Sequence, residues 1–318
     1  MRVHRRRFLS MSGGAALALS TSGRWASAAP KWNRPIIDVH MHSYPADGEM
    51  PKPLVNPISG RELAISNGAE HYAACLAEMK RHNVVKGITS GGNGDRLQAA
   101  LKWQNNDPSR FIAAASIRGS EDTPLPDLKA LRAGFSEKKF RVLGEVTAQY
   151  AGTTLSDPRY DPYLALAEEF DVPVALHTGT MPPGMTQDPC CLSARGDFGR
   201  PALVEDALNK HPKLRLNLMH CGYPYLEDTI ALLMQYPQVN ADLGAIDWLL
   251  PRAAFHSYIR ALVEAGHGKR LMFGSDHMFW PDAIGMAIEA VDSAPFLSAA
   301  EKNDIFHDNA VRFYKLET

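Results

Sequence analysis

Two histidines separated by a single residue, His40 and His42, lie in the run Ile36-Ile37-Asp38-Val39-His40-Met41-His42. On a strand, residues two apart share a face, so both imidazoles are placed to grip one divalent cation. Taken alone, such a pair fits inward-packed polar residues equally well. Four further metal-competent side chains change that balance, because each ends another apolar run. Glu145 follows Val142-Leu143-Gly144, His177 follows Val174-Ala175-Leu176, His220 follows Leu216-Asn217-Leu218-Met219, and Asp276 follows Met272-Phe273-Gly274-Ser275. Core histidines scattered by packing needs would not all fall at such ends. The chemistry on offer is that of a zinc-like ion, which lowers the pKa of bound water to about 7 and polarises a carbonyl.

These residues converge only if the runs are neighbouring strands of one sheet. Eight β-branched segments recur after residue 35: Ile36–His42, Val84–Thr89, Phe111–Ile117, Val142–Val146, Val172–His177, Leu214–His220, Val239–Asp242 and Leu271–Asp276. Amphipathic stretches separate them, and two more follow the last, over 281–291 and 298–306. This alternation predicts βα units and a parallel sheet. Eight units in the span from 29 to 318 predict a single-domain α/β (β/α)8 TIM barrel, whose strand ends meet at one mouth. The competing open doubly wound sheet would want Gly-x-Gly-x-x-Gly after the first strand, and that place is occupied by His40-Met41-His42.

Asp38-x-His40-x-His42, His177, His220 and Gly274-Ser275-Asp276 together resemble the amidohydrolase superfamily of metal-dependent hydrolases. The His220-Cys221-Gly222 turn and Gly274-Ser275-Asp276-x-x-x-Trp280-Pro281 resemble its amidohydrolase-related branch, which includes aminocarboxymuconate-semialdehyde decarboxylase. The likeness runs from about Ile36 to Phe313. It implies that His40, His42 and Asp276 bind a first metal, with His177 a ligand of that metal or of a second. It gives His220 a second-metal or water-activating role. Glu145 departs from the lysine many relatives carry there, and a carboxylate at that place can bridge two cations. The expectation is therefore one or two divalent ions of the zinc type, leaning to two. Asp276 and His220 are the expected catalytic residues, Asp276 moving the proton between metal-bound water and the leaving group.

Three functions compete on this reading. The leading expectation is hydrolysis of an amide, ester or lactone in a small organic molecule. The alternative is a decarboxylase (lyase) of an unsaturated or aromatic carboxylic acid, which uses nearly the same ligands. A non-catalytic exported metal-binding protein is third, since a structural metal site is expected to be smaller and closed. Around the mouth, Asp38 is expected to orient a ligand or brace the structure. His277 is expected to be structural, and His71, His82, His211, His256, His267 and His307 to serve surface or packing. Loops 43–67 and 178–199 carry Tyr44, Arg61, Met181 and Arg195, while Tyr223, Trp248, Arg252 and Trp280 lie near other strand ends. Aromatic walls with an arginine would suit a substrate carboxylate.

The chain of 318 residues holds 34 Lys+Arg against 35 Asp+Glu. That balance gives no support to a nucleic-acid partner. It conceals an asymmetry: residues 1–28 hold Arg2, Arg5, Arg6, Arg7 and Arg24 and no acid. Arg5-Arg6-Arg7-Phe8-Leu9, a short apolar stretch and Ala26-Ser27-Ala28 resemble a twin-arginine (Tat) signal peptide. This implies passage through the Tat export machinery, no stable membrane anchor and a periplasmic or secreted enzyme of 29 bases against 35 acids. The four cysteines, Cys75, Cys190, Cys191 and Cys221, are too few for a disulfide framework. They are expected to be mostly unpaired thiols, a vicinal Cys190–Cys191 bridge being geometrically unusual. The sequence does not fix the assembly; relatives of the branch often dimerise, so the resemblance alone allows a homodimer.

Overall fold

A computed structural model describes residues 32–91, 96–120 and 123–317. The Tat-type signal expected over 1–28 lies outside the described residues. Eight parallel strands run in sequential order: β1 Ile36–Ser43, β2 Val84–Gly91, β3 Phe111–Ile117, β4 Val142–Val146, β5 Val174–His177, β6 Leu216–Met219, β7 Val239–Asp242 and β8 Leu271–Met272. The eight expected strands are thus all present. The ladder runs from β1 to β8, and the β8–β1 seam is tied by Val39 N–H donating to the Phe273 carbonyl and Asp276 N–H to the His40 carbonyl. The result is a nearly closed α/β barrel.

Both faces of the strands are covered, so they read as continuous apolar runs rather than alternating ones. All seven residues of β3 are buried. Inside, Ile37, Val39, Ile88, Ile112, Ala114, Val142, Ala175, Met219 and Met272 form one cluster, closed by Phe313 and Tyr314 of the last helix. Outside, helices pack on the other strand faces: α1 Gly68–Arg81, α2 Arg96–Asn106, α3 Leu128–Ser136, α4 Asp161–Glu169, α5 Glu205–Lys210, α6 Leu226–Gln235, α7 Ile246–Leu249, α8 Arg252–Glu264 and α9 Ala283–Asp292. Two short helices end the chain, α10 Ala299–Asn303, which buries no residue, and α11 Asn309–Tyr314, which closes the inner cluster. Side-chain caps mark the starts of several. The Asn67 side chain accepts from Glu70 N–H at α1, and Ser298 with Glu301 forms a capping box at α10.

Three departures from the sequence reading concern the mouth. β8 stops at Met272, four residues before Asp276, and β6 stops at Met219, just before His220. Beyond those ends the backbone turns left-handed, with φ of 41° at Asp276 and 58° at His220. Such φ values are uncommon outside glycine and concentrate where function over-determines the backbone. The third departure is covalent. Cys190 and Cys191 form a vicinal disulfide, so the unpaired-thiol expectation fails for that pair and holds for Cys75 and Cys221. The pair sits in a tight turn, Pro189–Cys191, where Asp188 accepts Cys190 N–H through its side chain and Cys191 N–H through its carbonyl. That turn overrides the general rarity of bridges between neighbours.

Candidate metal centre

The bulged stretch of β1, where its register against β2 shifts between Asp38 and Met41, carries His40. Bulges re-aim side chains beside active sites. Two glycines make room for it. A Cβ on Gly244 would stand 2.6 Å from His40 Nδ1, and one on Gly274 would stand 2.7 Å from His40 Cβ.

The strand ends bring together the six residues expected there. His42 Nε2 lies 2.8 Å from Asp276 Oδ1 and 3.8 Å from Glu145 Oε2. His40 Nε2 is 3.6 Å from Asp276 Oδ1. His220 Nε2 is 3.9 Å from Glu145 Oε1, and its Nδ1 is 3.8 Å from Asp276 Oδ2. Two overlapping groups result, His40–His42–Asp276 and His40–Glu145–His220, each with donor atoms mutually within 4.8 Å. His177 belongs to neither group but touches the second, its Nδ1 being 2.8 Å from Glu145 Oε1 and 2.9 Å from His220 Nε2.

Tautomers follow from the outer partners. His40 Nδ1 faces Asp242 Oδ1 at 3.3 Å, and His220 Nδ1 faces the Gly244 carbonyl at 2.9 Å. Each ring therefore donates outward and turns its Nε2 lone pair inward. Asp242 is itself held by Gly244 N–H at 2.9 Å and by Asn217 Nδ2 at 2.7 Å, and Asn217 Nδ2 also reaches the Tyr314 hydroxyl at 3.2 Å. Asp38 braces the same region, accepting from His40 N–H and Ser275 N–H. Burial pushes its carboxyl up to about 7.

Whether these residues fit a cation is decided by atoms that have nothing else to do. His40 Nε2 and Asp276 Oδ1 are buried without a hydrogen bond, the latter despite its 2.8 Å approach to His42. Buried acceptors pointing at one another are costly unless a positive charge sits between them. The field agrees. Burial alone would lower His40, yet Asp276 and Asp242 lift it to about 10, so the carboxylates call for a positive charge at this place, which a proton on Nε2 supplies only where no cation does. Burial likewise opposes ionisation of Glu145, but the hydrogen bond from His177 and the nearby His220 and His40 hold it well below the carboxylate range. Asp276 is held down by His40 and His42 against its burial. The donor set, imidazoles with two carboxylates, fits a divalent metal.

The remaining expectations sort unevenly. Arg61 and Arg195 are exposed, Arg195 donating to the Leu192 and Ala194 carbonyls. Arg252 binds Ser293 and the Glu289 carbonyl. Trp248 is buried with its indole N–H on the Ser275 carbonyl. The cation beside the mouth is one the sequence reading missed. Arg118, just beyond β3, is buried, donates to Thr147 Oγ1 at 3.3 Å, and lies 5.3 Å above the Tyr150 ring. The Tyr150 hydroxyl is 3.4 Å from His177 Nε2. The place of Arg118 at the end of an apolar run was the available signal, the same one that marks the metal-competent residues.

Residues 37–316 match the family model described as amidohydrolase. The chain belongs to the amidohydrolase family. Its fold is similar to that of a probable 2-pyrone-4,6-dicarboxylic acid hydrolase from Acinetobacter baumannii, with a TM-score of 0.64, 16% identity, and coverage of 88% of this chain and 99% of that one. It is also similar to 2,6-dihydroxybenzoate decarboxylase from Rhizobium, at TM-score 0.60 and 17% identity over 90% of this chain and 100% of that one. A third is 5-carboxyvanillate decarboxylase from Novosphingobium aromaticivorans complexed with manganese, at TM-score 0.59 and 16% identity over 88% and 96%. Among curated proteins, Protein fluG of Emericella nidulans is 30% identical over 87 residues, 27% of this chain. The matched stretch covers only 10% of the length of that relative.

Proposed function

We propose that this amidohydrolase-family chain is a metal-dependent decarboxylase of an aromatic or unsaturated carboxylic acid. The observation that carries the reading is the placing of His220 beside the residues that would hold the cation. Its Nδ1 is 2.9 Å from the Gly244 carbonyl and 3.8 Å from Asp276 Oδ2, and its Nε2 lies on the side of Glu145 and His177. Burial lowers the imidazole, but Glu145 and Asp276 raise it above its ordinary value, which suits a proton donor. When the carbon–carbon bond to the carboxylate breaks, the electron pair stays on the substrate carbon and carbon dioxide leaves. His220 gives that carbon a proton and regains one from solvent.

His40, His42 and Asp276 would hold the cation, and Glu145 with His220 would border it. When bound it would polarise the substrate oxygens. Arg118 and the Tyr150 hydroxyl would orient a second acidic oxygen of the substrate, a guanidinium being suited to a planar carboxylate. Two of the similar structures are decarboxylases of ring carboxylic acids, and one is a complex with manganese, so zinc and manganese are both candidate ions. The sequence leaned to hydrolysis on the strength of Glu145 and the leader. The decarboxylases among the similar structures favour the lyase reading over it. Hydrolysis of a lactone or ester remains the second reading, favoured by the two groups that share His40, since Glu145 could serve a second ion.

We also propose that the enzyme is exported by the Tat machinery and works in the periplasm or outside the cell. The Cys190–Cys191 bridge suits an oxidising compartment. Incubating metal-loaded protein with hydroxybenzoates, unsaturated diacids and pyrone lactones separates the readings. Carbon dioxide release from a carboxylic acid is expected, and Arg118→Met should raise KM at least tenfold without changing the metal content. Ring opening of a lactone with no carbon dioxide would overturn the lyase reading.

A further inference from the structure

Beneath α1, next to the turn that follows β8, lie three residues that the reaction does not use. His71 and Cys75 are one helical turn apart on α1 and so share a face. His277 follows Asp276, and the turn that sends Asp276 into the mouth sends His277 the other way. All three are fully buried. Cys75 Sγ is 3.8 Å from both nitrogens of His71 and 3.8 Å from His277 Nε2, and one donor atom from each residue lies within 4.8 Å of the others.

The proton inventory of this pocket does not close on its own. The Met278 carbonyl lies 3.1 Å from His71 Nε2 and 3.0 Å from His277 Nδ1, so each ring donates its hydrogen there. That assignment leaves lone pairs on His71 Nδ1 and His277 Nε2, both beside the sulfur. A thiol has one hydrogen and satisfies only one of them. Burial holds His71 down at about 3, which keeps its ring neutral and its lone pair available at physiological pH. Around the cluster stand Tyr44 and Trp103, with ring centroids 5.0 and 6.0 Å from that of His71. The pocket is therefore closed to solvent and lined with aromatic rings.

We infer that His71, Cys75 and His277 supply three donors of a second metal site, apart from the reaction, for a thiophilic divalent cation of the zinc type, the fourth place being left to an enclosed water. Two neutral imidazoles, each with its other nitrogen on a backbone carbonyl, and one sulfur are a donor set such ions select. A tetrahedral zinc ion, with sulfur at about 2.3 Å and nitrogen at about 2.0–2.1 Å, sets those atoms about 3.5 Å apart. The observed 3.8 Å is close to that separation. Binding displaces the thiol proton to solvent and makes the sulfur a thiolate. The ion would pin α1 to the segment after β8 and so fix where Asp276 stands.

Among the described residues neither metal-competent group at the mouth contains a cysteine, so a thiolate signature reports this site rather than the mouth. The full-length protein is produced in cobalt-supplemented medium and its absorption spectrum recorded. A thiolate-to-cobalt charge-transfer band is expected in the wild type and in Cys221→Ser, and is lost in Cys75→Ser. The band should persist in His42→Asn, which alters the mouth but leaves this cluster intact. Absence of the band in wild-type protein, whatever its total cobalt, would overturn the assignment, as would its survival in Cys75→Ser. If Cys75→Ser does not fold, His277→Asn replaces it, with an unchanged band again counting against the site.

Discussion

Replacing Asp242 by asparagine changes one oxygen into an amino group at nearly constant volume, in a side chain with no solvent exposure. The carboxylate receives Asn217 Nδ2 at 2.7 Å on one oxygen, and Gly244 N–H at 2.9 Å, His40 Nδ1 at 3.3 Å and His220 N–H at 3.3 Å on the other. In Asp242→Asn the retained oxygen keeps its three donors, while the new amino group faces the amide of Asn217. One hydrogen bond to a charged acceptor is lost, worth about 1.5–3 kcal/mol. His40 also loses the carboxylate that fixes its tautomer, a change that typically weakens metal binding about 10–100-fold. Chelator competition should show that weakening, and calorimetry a melting temperature lowered by several degrees. Adding Asn217→Asp puts an acceptor opposite the new amide. The double variant should recover the melting temperature but not the metal affinity, because the charge now sits away from His40. Undiminished affinity in the single variant, or its full recovery in the double one, would refute the role given to Asp242.

Gly244→Ala should abolish turnover, with loss of metal but a largely intact far-ultraviolet spectrum, because its Cβ would stand 2.6 Å from His40 Nδ1 and 3.0 Å from Asp276 Cβ; retained metal would show that the pocket yields. Asp247, buried with neither carboxylate oxygen hydrogen-bonded, is raised well above its ordinary range by burial and by Asp38, Asp242 and Asp276. A folded-state pKa above the unfolded one gives stability that is present at pH 4 and lost as pH rises through the folded value. Asp247→Asn should therefore leave stability at pH 4 nearly unchanged and raise it by an amount that grows towards neutral pH, measured by urea denaturation at both; equal effects at the two would contradict the sign. His71, held at about 3 by burial, works in the opposite sense: its contribution is present above the unfolded value near 6.5 and declines by about 1.4 kcal/mol per pH unit below it. His71→Phe should flatten that acid limb.

Much of the barrel was legible because parallel strands buried on both faces leave unbroken apolar runs, and β3 and β4 were bounded to the residue. The ends of β6 and β8 were not, because the runs lead without a break up to His220 and Asp276 while the backbone there turns left-handed, a choice made by packing at the mouth. The six metal-competent residues stood out by type and place. Asp242 ended its own strand and was passed over, since its work is to hold His40 rather than to face the cavity. Arg118 was hidden for a similar reason: the arginines in obvious loops are spent on backbone carbonyls, exposed side chains or solvent. The His71–Cys75–His277 cluster was illegible because it joins α1 to the segment after β8, two elements 200 residues apart whose contact no local pattern reports.

The central claim is best tested by running the reaction in deuterium oxide with metal-loaded and chelator-treated protein. Carbon dioxide and the product are then measured together. The account predicts metal-dependent carbon dioxide release with one deuterium at the carbon that carried the carboxylate, both lost in His220→Asn. Carbon dioxide release that survives metal removal, or a product formed by addition of water without carbon dioxide, would contradict it.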